Sequence, residues 1–308
     1  MFHLYTVASD ESKMAKLYQS AELSGIVVNR IEVLHWTGFI DKILLMKQIV
    51  DDMNQDDIVC FVDAYDVLVF SDAEEIVRKF RASGKSILLS SELNCYPPEN
   101  RDRYDLIEYF TFEADEAAGT WGTDKTRCFT TNYKYLNSGG YVGYAGAIKR
   151  MFQWKTVDEI REMCLHGGDQ NFFTQYYLEY ALSPYTKKDP THHVGSDRFS
   201  METNIGLDSK QEIFQSMYRV NLGDFAFFRG RLYNHVLRTY PCFAHFNGYR
   251  DYNGMIINWD NGDEEDAMEV FVYKMKRSRE NGNAEMEYRV PNFYYLGVKQ
   301  ECIAQKIG

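Results

Sequence analysis

Two aspartates three positions apart, Asp63 and Asp66, follow a run of five apolar residues, Ile58–Val62 (IVCFV). Such a run suits a strand covered on both faces, so the carboxylates leave it at its carboxyl end. Paired carboxylates repel unless a hard cation or a shared proton offsets the repulsion, and a divalent metal is the economical explanation. The competing reading, one aspartate capping a turn and the other solvated, stays open on the local sequence. A second cluster, Ala244-His245-Phe246-Asn247-Gly248, ends a β-rich stretch. A single histidine there is more often a hydrogen-bonded structural residue than a ligand. Two carboxylates plus one imidazole would favour Mn²⁺ over Mg²⁺, because nitrogen suits the softer ion, with other positions left for phosphate oxygens. The third cluster is Leu136-Asn137-Ser138-Gly139-Gly140. Adjacent glycines permit close backbone approach to a ligand, and Asn137 offers a donor and an acceptor to a sugar hydroxyl, although the same string is also an ordinary turn.

The elements that would position these residues are readable in the first half. Phe2–Ala8 alternates as a strand, and Ser9-Asp10-Glu11 supplies an N-cap for a helical pattern through Leu23. Strands are predicted at Ile26–Leu34, Ile58–Val62 and Ser86–Ser90, and helices at Asp41–Met53 and Ala73–Phe80. This alternation predicts an open α/β sheet with right-handed crossovers and Ile58–Val62 as a central parallel strand. Ligands of such sheets sit at the carboxyl ends of the strands, where Asp63 and Asp66 fall. Later, Tyr135–Tyr144 reads as a turn feeding a strand, Ala147–Cys164 and Gln170–Ala181 as helices, and Val220–Asn247 as several strands. The weakly periodic Asn94–Thr131 is expected to be a long loop or lid. Neither GxGxxG after a strand nor GxxxxGK[ST] occurs, which argues against a dinucleotide-binding dehydrogenase and a P-loop enzyme.

Composition narrows the partners. The 308 residues include 45 acidic and 34 basic ones, a net charge of −11. That is the wrong sign for a protein whose main partner is nucleic acid or an anionic membrane, so any polyanion it binds needs a local cation. Six cysteines, the closest pair 33 positions apart (Cys95 and Cys128), are too sparse for a disulfide scaffold. No apolar run approaches the roughly 18 residues of a membrane span. MFHLYTVASDESK begins as a strand without a basic leader or apolar region, which predicts a cytoplasmic chain with reduced thiols. The acidic DNGDEEDAME followed by a basic stretch marks the start of a C-terminal appendage.

Together, FVDAYD, YLNSGGYVGYA, Asp169-Gln170 with aromatics just after, and HFNG resemble the glycosyltransferase domain of the multifunctional procollagen lysyl hydroxylases and its relatives among the collagen galactosyltransferases. TVASDES, the Trp36 region, Lys42 and SSELNCYP extend the resemblance across about residues 2–250, and the chain is also similar to a stand-alone enzyme of the giant-virus type, which would place it inside a host cell. The resemblance implies a GT-A-like, Rossmann-type nucleotide-sugar-binding open sheet over residues 1–255 and a C-terminal extension over 256–308. For that extension a capping subdomain, an acceptor-binding arm and the contact of a homodimer all stay open.

The implied activity is Mn²⁺-dependent transfer of glucose from UDP-glucose to galactosyl-hydroxylysine of a collagen-like protein. Asp63, Asp66 and His245 would be the metal ligands. Tyr65 and Trp36 would pack around uracil and ribose, with Val7 and Ser9 at the nucleotide edge. Asn247, Gly248 and Lys42 would meet the diphosphate. Asn137, Ser138, Gly139, Gly140 and Asp169 would border the transferred sugar, with Asp169 and Asn137 the catalytic candidates, and Glu92, Tyr96 and Gln170 would face the acceptor. The chain departs from the family where a run of aspartates is replaced by Leu165-His166-Gly167-Gly168-Asp169, and where Tyr96 stands for a tryptophan. An expected lysine is absent and Arg250 stands near its place; residues Glu99–Tyr133 look like an insertion. The alternatives are galactose transfer to hydroxylysine, a catalytically silent UDP-sugar or collagen-binding module, and a nucleotidyltransferase on a similar sheet.

Overall fold

The computed structural model describes residues 1–117, 131–186, 204–247, 255–257, 264–281, 287–290 and 294–295. Five alternating segments behave as their patterns require: strand β1 (Phe2–Ala8), helix α1 (Ala15–Ser24), strand β2 (Val28–Glu32), helix α2 (Ile40–Asp51) and strand β3 (Ile58–Val62). Asp10 caps the turn before α1 through its side chain, and Gly25 ends that helix in the left-handed conformation that glycine adopts without strain. All five residues of β3 are buried. They are followed by β4 (Val67–Val69), α3 (Ala73–Ala82), β5 (Ile87–Glu92), α4 (Arg101–Ala117) and β6 (Tyr135–Tyr144). Then come α5 (Ala145–Phe152), α6 (Val157–Leu165), α7 (Gly168–Thr186), β7 (Ile205–Leu207), β8 (Phe214–Ser216), β9 (Val220–Asn221), β10 (Phe225–Phe228), β11 (Arg231–Asn234) and β12 (Phe243–His245).

The central sheet has the order β2-β1-β3-β6-β5-β7. β1 runs parallel to β2 and β3, but β6 lies antiparallel to both β3 and β5. The sheet is therefore mixed, and β3 has a parallel neighbour on one side only. A continuous apolar run reports burial on both faces, not the direction of each neighbour. β6 is reached through the excursion that begins after β5, which lets it enter from the opposite end. A smaller sheet, β4-β12-β8, packs beside the carboxyl end of β3.

Two further expectations change. The stretch expected as a loop or lid contains α4, whose Tyr104 and Ile107 are buried against α7 and β6. Among the described side chains of α4 this i, i+3 pair carries the helical period, and the surrounding acidic residues mask it. Residues 118–130 of that stretch lie outside the described residues. The helix expected over Ala147–Cys164 is two helices, because Thr156 caps α6 in a reciprocal box with Glu159 and interrupts the run.

After β12, β13 (Met255–Ile257) pairs with β14 (Glu264–Asp266), and α8 (Ala267–Glu280) packs inward. Phe271 of α8 is fully buried among Phe70, Phe225, Phe227 and Phe246. β15 (Tyr288–Arg289) adds to β10, and β16 (Tyr294–Tyr295) pairs with β9. The described part of the expected extension thus shares a core with β4 and β12. Among the described residues no helix is long and apolar enough to cross a membrane.

Candidate metal centre

Backbone register brings the three sequence clusters together. The Asp63 N–H donates to the Gly139 carbonyl at 3.0 Å, joining the end of β3 to β6. β12 pairs antiparallel with β4, placing His245 opposite Val67, and the Phe246 N–H donates to the Asp66 carbonyl at 2.8 Å. β4, too short for its pattern to stand out in the sequence, is therefore the element that carries the histidine to the aspartates.

His245 Nε2 stands 3.3 Å from Asp66 Oδ2 and 3.8 Å from Asp63 Oδ2. One ligand atom from each of the three residues lies within 4.8 Å of the others, a span one ion can bridge. Burial alone would push the imidazole pKa down, but Asp66, then Asp63, outweigh it and hold the group above its ordinary value. Two carboxylates and one imidazole around a common point form a donor set that fits a divalent transition ion.

Lys42, buried on α2, hydrogen-bonds Asp63 and forms an ion pair with Asp169 Oδ2 at 3.3 Å. Desolvation lowers its pKa, yet Asp169 and Asp63 more than reverse this and raise it. Asp169, at the start of α7, is 4% exposed, and burial pushes its carboxyl above the usual range against the pull of Lys42. Its Oδ2 has the lysine close by but no aligned hydrogen bond.

A second buried carboxylate, Glu92 at the end of β5, gathers three side-chain amides. Its Oε1 accepts from Asn137 Nδ2 at 3.2 Å and Gln170 Nε2 at 2.9 Å, and its Oε2 from Asn247 Nδ2 at 3.0 Å. Burial raises the Glu92 pKa, and these donors moderate the rise. Asn247 also accepts from Ser216 Oγ at 2.9 Å and from the Tyr218 N–H at 3.3 Å. Gln170 Oε1 accepts from the Ser138 N–H at 3.3 Å, which ties β6 to α7.

These groups line a cavity of 580 Å³ that includes Asp63, Asp66, Glu92, Tyr96, Asp169 and His245. Tyr96, half-exposed, stands at its rim. Phe39, Asn94 and Tyr218, none of them among the expected site residues, also line it. Tyr65 is 40% exposed, and its hydroxyl accepts from the Ser9 and Asp10 N–H groups at 3.0 Å each, fastening the aspartate turn to the end of β1. Trp36 is exposed and packs edge-on against Phe39. The Val7 side chain is buried in the core. The adjacent glycines are occupied from within the protein: a Cβ on Gly139 would meet the His245 ring at 2.0 Å, and one on Gly140 the Phe214 ring at 2.6 Å. Gly248 and Arg250 lie outside the described residues.

A larger cavity of 640 Å³ opens elsewhere, between the start of α3 and the β10–β11 turn. It is lined by Arg78, Arg229, Arg231 and Arg279 together with Asp72, Glu74 and Glu75. No histidine is among its described lining residues, and the group of three described residues that could hold an ion, Asp63, Asp66 and His245, belongs to the smaller cavity.

A family model described as the PLOD GT domain matches residues 4–108 and 125–258. The chain is 30% identical over 217 residues, 68% of its own length and 34% of the relative's, to an uncharacterized protein of Acanthamoeba polyphaga mimivirus. It is 29% identical over 260 residues, 79% of its length and 29% of the relative's, to a multifunctional procollagen lysine hydroxylase and glycosyltransferase of Rattus norvegicus. A protein with that combined name in Caenorhabditis elegans is 26% identical over 200 residues, 63% of this chain and 21% of the relative. The chain thus spans about a third or less of the length of these relatives. Its mixed six-stranded sheet flanked by helices is the GT-A-like architecture that the sequence resemblance implied. Because the family match runs through both halves of the cavity and covers most of its length, the chain belongs to the PLOD GT domain family of glycosyltransferases.

Proposed function

We propose that the chain is a Mn²⁺-dependent hexosyltransferase that moves glucose from UDP-glucose to galactosyl-hydroxylysine of a collagen-like protein. The observation that carries this reading is the convergence of Asp63, Asp66 and His245 on one point of a cavity at the carboxyl end of β3. Those three residues would hold the ion, which when bound supplies a Lewis acid that neutralises charge developing on the UDP leaving group. A local cation of this kind also lets a chain of charge −11 take a pyrophosphate.

The remaining roles belong to the chain's own groups. Lys42 offsets the charge of Asp63 and Asp169 and keeps the latter oriented toward the cavity. Asp169 is the carboxylate at hand for the sugar or the acceptor hydroxyl. Tyr65 shapes the nucleotide side, its ring held by the hydroxyl contacts to β1. Tyr96 and Gln170 border the acceptor side, where a sugar on a peptide would find an aromatic surface and an amide. The printed names of the relatives, which combine lysine hydroxylase with glycosyltransferase, support a procollagen-type acceptor.

The test incubates purified protein and Mn²⁺ with UDP-glucose or UDP-galactose and a peptide bearing hydroxylysine or galactosyl-hydroxylysine. Glucose appearing on galactosyl-hydroxylysine supports the proposal. Galactose appearing on hydroxylysine replaces it with the galactosyltransferase reading, and UDP binding in calorimetry without turnover of either donor replaces it with the silent module.

A further inference from the structure

We infer that Asn137 and Gly139 are the seat of His245, which sets its ring tautomer and aims Nε2 at the two aspartates, so that Asn137 is a positioning residue for the metal rather than a contact of the transferred sugar. The inference rests on the metal reading of this site proposed above.

The assignment of the ring follows from groups whose hydrogen-bonding sense is fixed. Asn137 Oδ1 accepts from the Gly139 backbone N–H at 3.0 Å. A backbone amide nitrogen only donates, so the atom facing it is the oxygen of the side-chain amide and not the nitrogen. The same oxygen lies 2.9 Å from His245 Nδ1. An oxygen that only accepts requires Nδ1 to carry the proton. Nε2 is then the ring nitrogen that can present a lone pair, and it is the one that faces Asp66 and Asp63. The other end of the Asn137 amide donates to Glu92, which holds the group against rotation. Asn137 is 4% exposed, with each end of its amide engaged inside the protein.

Gly139 supplies the space. The imidazole lies so close against β6 that a Cβ at this position would stand 2.0 Å from Cε1 and 2.4 Å from Nδ1. Any other residue displaces the ring from the strand and breaks its contact with Asn137. A hydrogen-bonded partner on the second ring nitrogen is the usual means by which proteins orient a ligating histidine, and its loss typically costs 10–100-fold in metal affinity.

The experiment uses the full chain. Zn²⁺, a diamagnetic probe, is bound to ¹⁵N-histidine-labelled protein, and long-range proton–nitrogen spectra identify which ring nitrogen of His245 is metallated and which carries hydrogen, with His245→Gln locating the signal. Metallated Nε2 with a retained Nδ1–H is expected; metal on Nδ1 overturns the inference, and this reading is made on the wild-type protein, with the variant serving only to assign the signal. In parallel, Mn²⁺ titration of Asn137→Ala is expected to show affinity about 10–100-fold below wild type and a loss of the single Nδ1–H signal. Wild-type Mn²⁺ affinity in Asn137→Ala with impaired sugar transfer overturns the inference alone, because it makes Asn137 a substrate contact. Mn²⁺ binding that is unchanged by Asp66→Ala overturns the metal reading, and this inference with it.

Discussion

The ammonium of Lys42 stands 3.3 Å from Asp169 Oδ2 while it hydrogen-bonds Asp63, so one buried cation joins a carboxylate of the candidate metal centre to the carboxylate at the start of α7. Neither aspartate is easily left alone there: Asp169 is 4% exposed, and Asp63 already shares its corner with Asp66. Replacing Lys42 by Met is expected to destabilise the metal-free protein by about 3–5 kcal/mol, the cost of breaking a buried pair by removing one partner. Added Mn²⁺ should return part of that loss, since an ion that binds only the folded state stabilises it by mass action. Urea unfolding with and without Mn²⁺ checks both effects. A loss below about 1 kcal/mol would show that the carboxylates do not depend on Lys42.

Asp66 presents the opposite case. Its side chain is 37% exposed, and its backbone carbonyl accepts from the Phe246 N–H, a link between the β4 and β12 ends that an alanine leaves in place. Asp66→Ala should therefore remove Mn²⁺ binding and donor turnover while the fold persists. Calorimetric Mn²⁺ titration and circular dichroism, run on the same preparation, separate these two outcomes. Retained turnover of UDP-glucose would place the metal elsewhere.

The C-terminal helix makes a prediction about domain organisation. Sequence alone put the end of the catalytic unit near residue 255, because composition shifts there and the family motifs have ended. Phe271 nevertheless fills the space between Phe70, which follows β4, and Phe246, which follows His245. Phe271→Ala is expected to cost about 3–5 kcal/mol, as for other large buried aromatics. It should also weaken Mn²⁺ binding at temperatures well below the melting point, since the ring packs beside the ends of β4, which follows Asp66, and of β12, which carries His245. Denaturant titration and Mn²⁺ affinity at 15–25 °C test the two parts. A stability change under 1 kcal/mol would mean that α8 is an appendage after all.

What the sequence made legible, and what it did not, follows from the range of the interactions involved. β3 and its two aspartates were readable because burial on both faces leaves five apolar residues in a row. The convergence of His245 with Asp66 was not, because it depends on β4, three residues long and paired with a strand about 175 positions later. What fills the space at Gly139 was hidden for a related reason: a pair of glycines signals close approach, but their sequence does not say whether a ligand or a side chain approaches. Here the His245 and Phe214 rings do. Glu92 stood out only through resemblance, since a lone glutamate at a strand end has no pattern; its importance lies in amides drawn from β6, α7 and the second residue after β12. The direction of β6 was likewise hidden, because hydrophobic periodicity is the same for parallel and antiparallel pairing.

Glu75 on α3 gives a pH-dependent test away from the metal. Its carboxylate receives Arg78 Nε at 2.7 Å and Nη2 at 2.9 Å, and Arg231 Nη2 from the start of β11 at 2.7 Å. The Arg78 hydrogen bonds, outweighing partial burial, and the charges of Arg231 and Lys79 lower its pKa to about 2. The folded value lies below the unfolded one, so the stabilisation is full above about pH 4.5 and is lost as pH falls toward 2. Glu75→Gln should destabilise the protein by about 1–2 kcal/mol at neutral pH, less than the shift alone implies because water screens the exposed Arg78. The gap between wild type and variant should narrow progressively below pH 4.5 and close near pH 2, and high salt should shrink it at neutral pH. Denaturant midpoints of the two proteins across pH 2–7 provide the measurement. A gap that stays constant with pH would assign the effect of the substitution to packing rather than to charge.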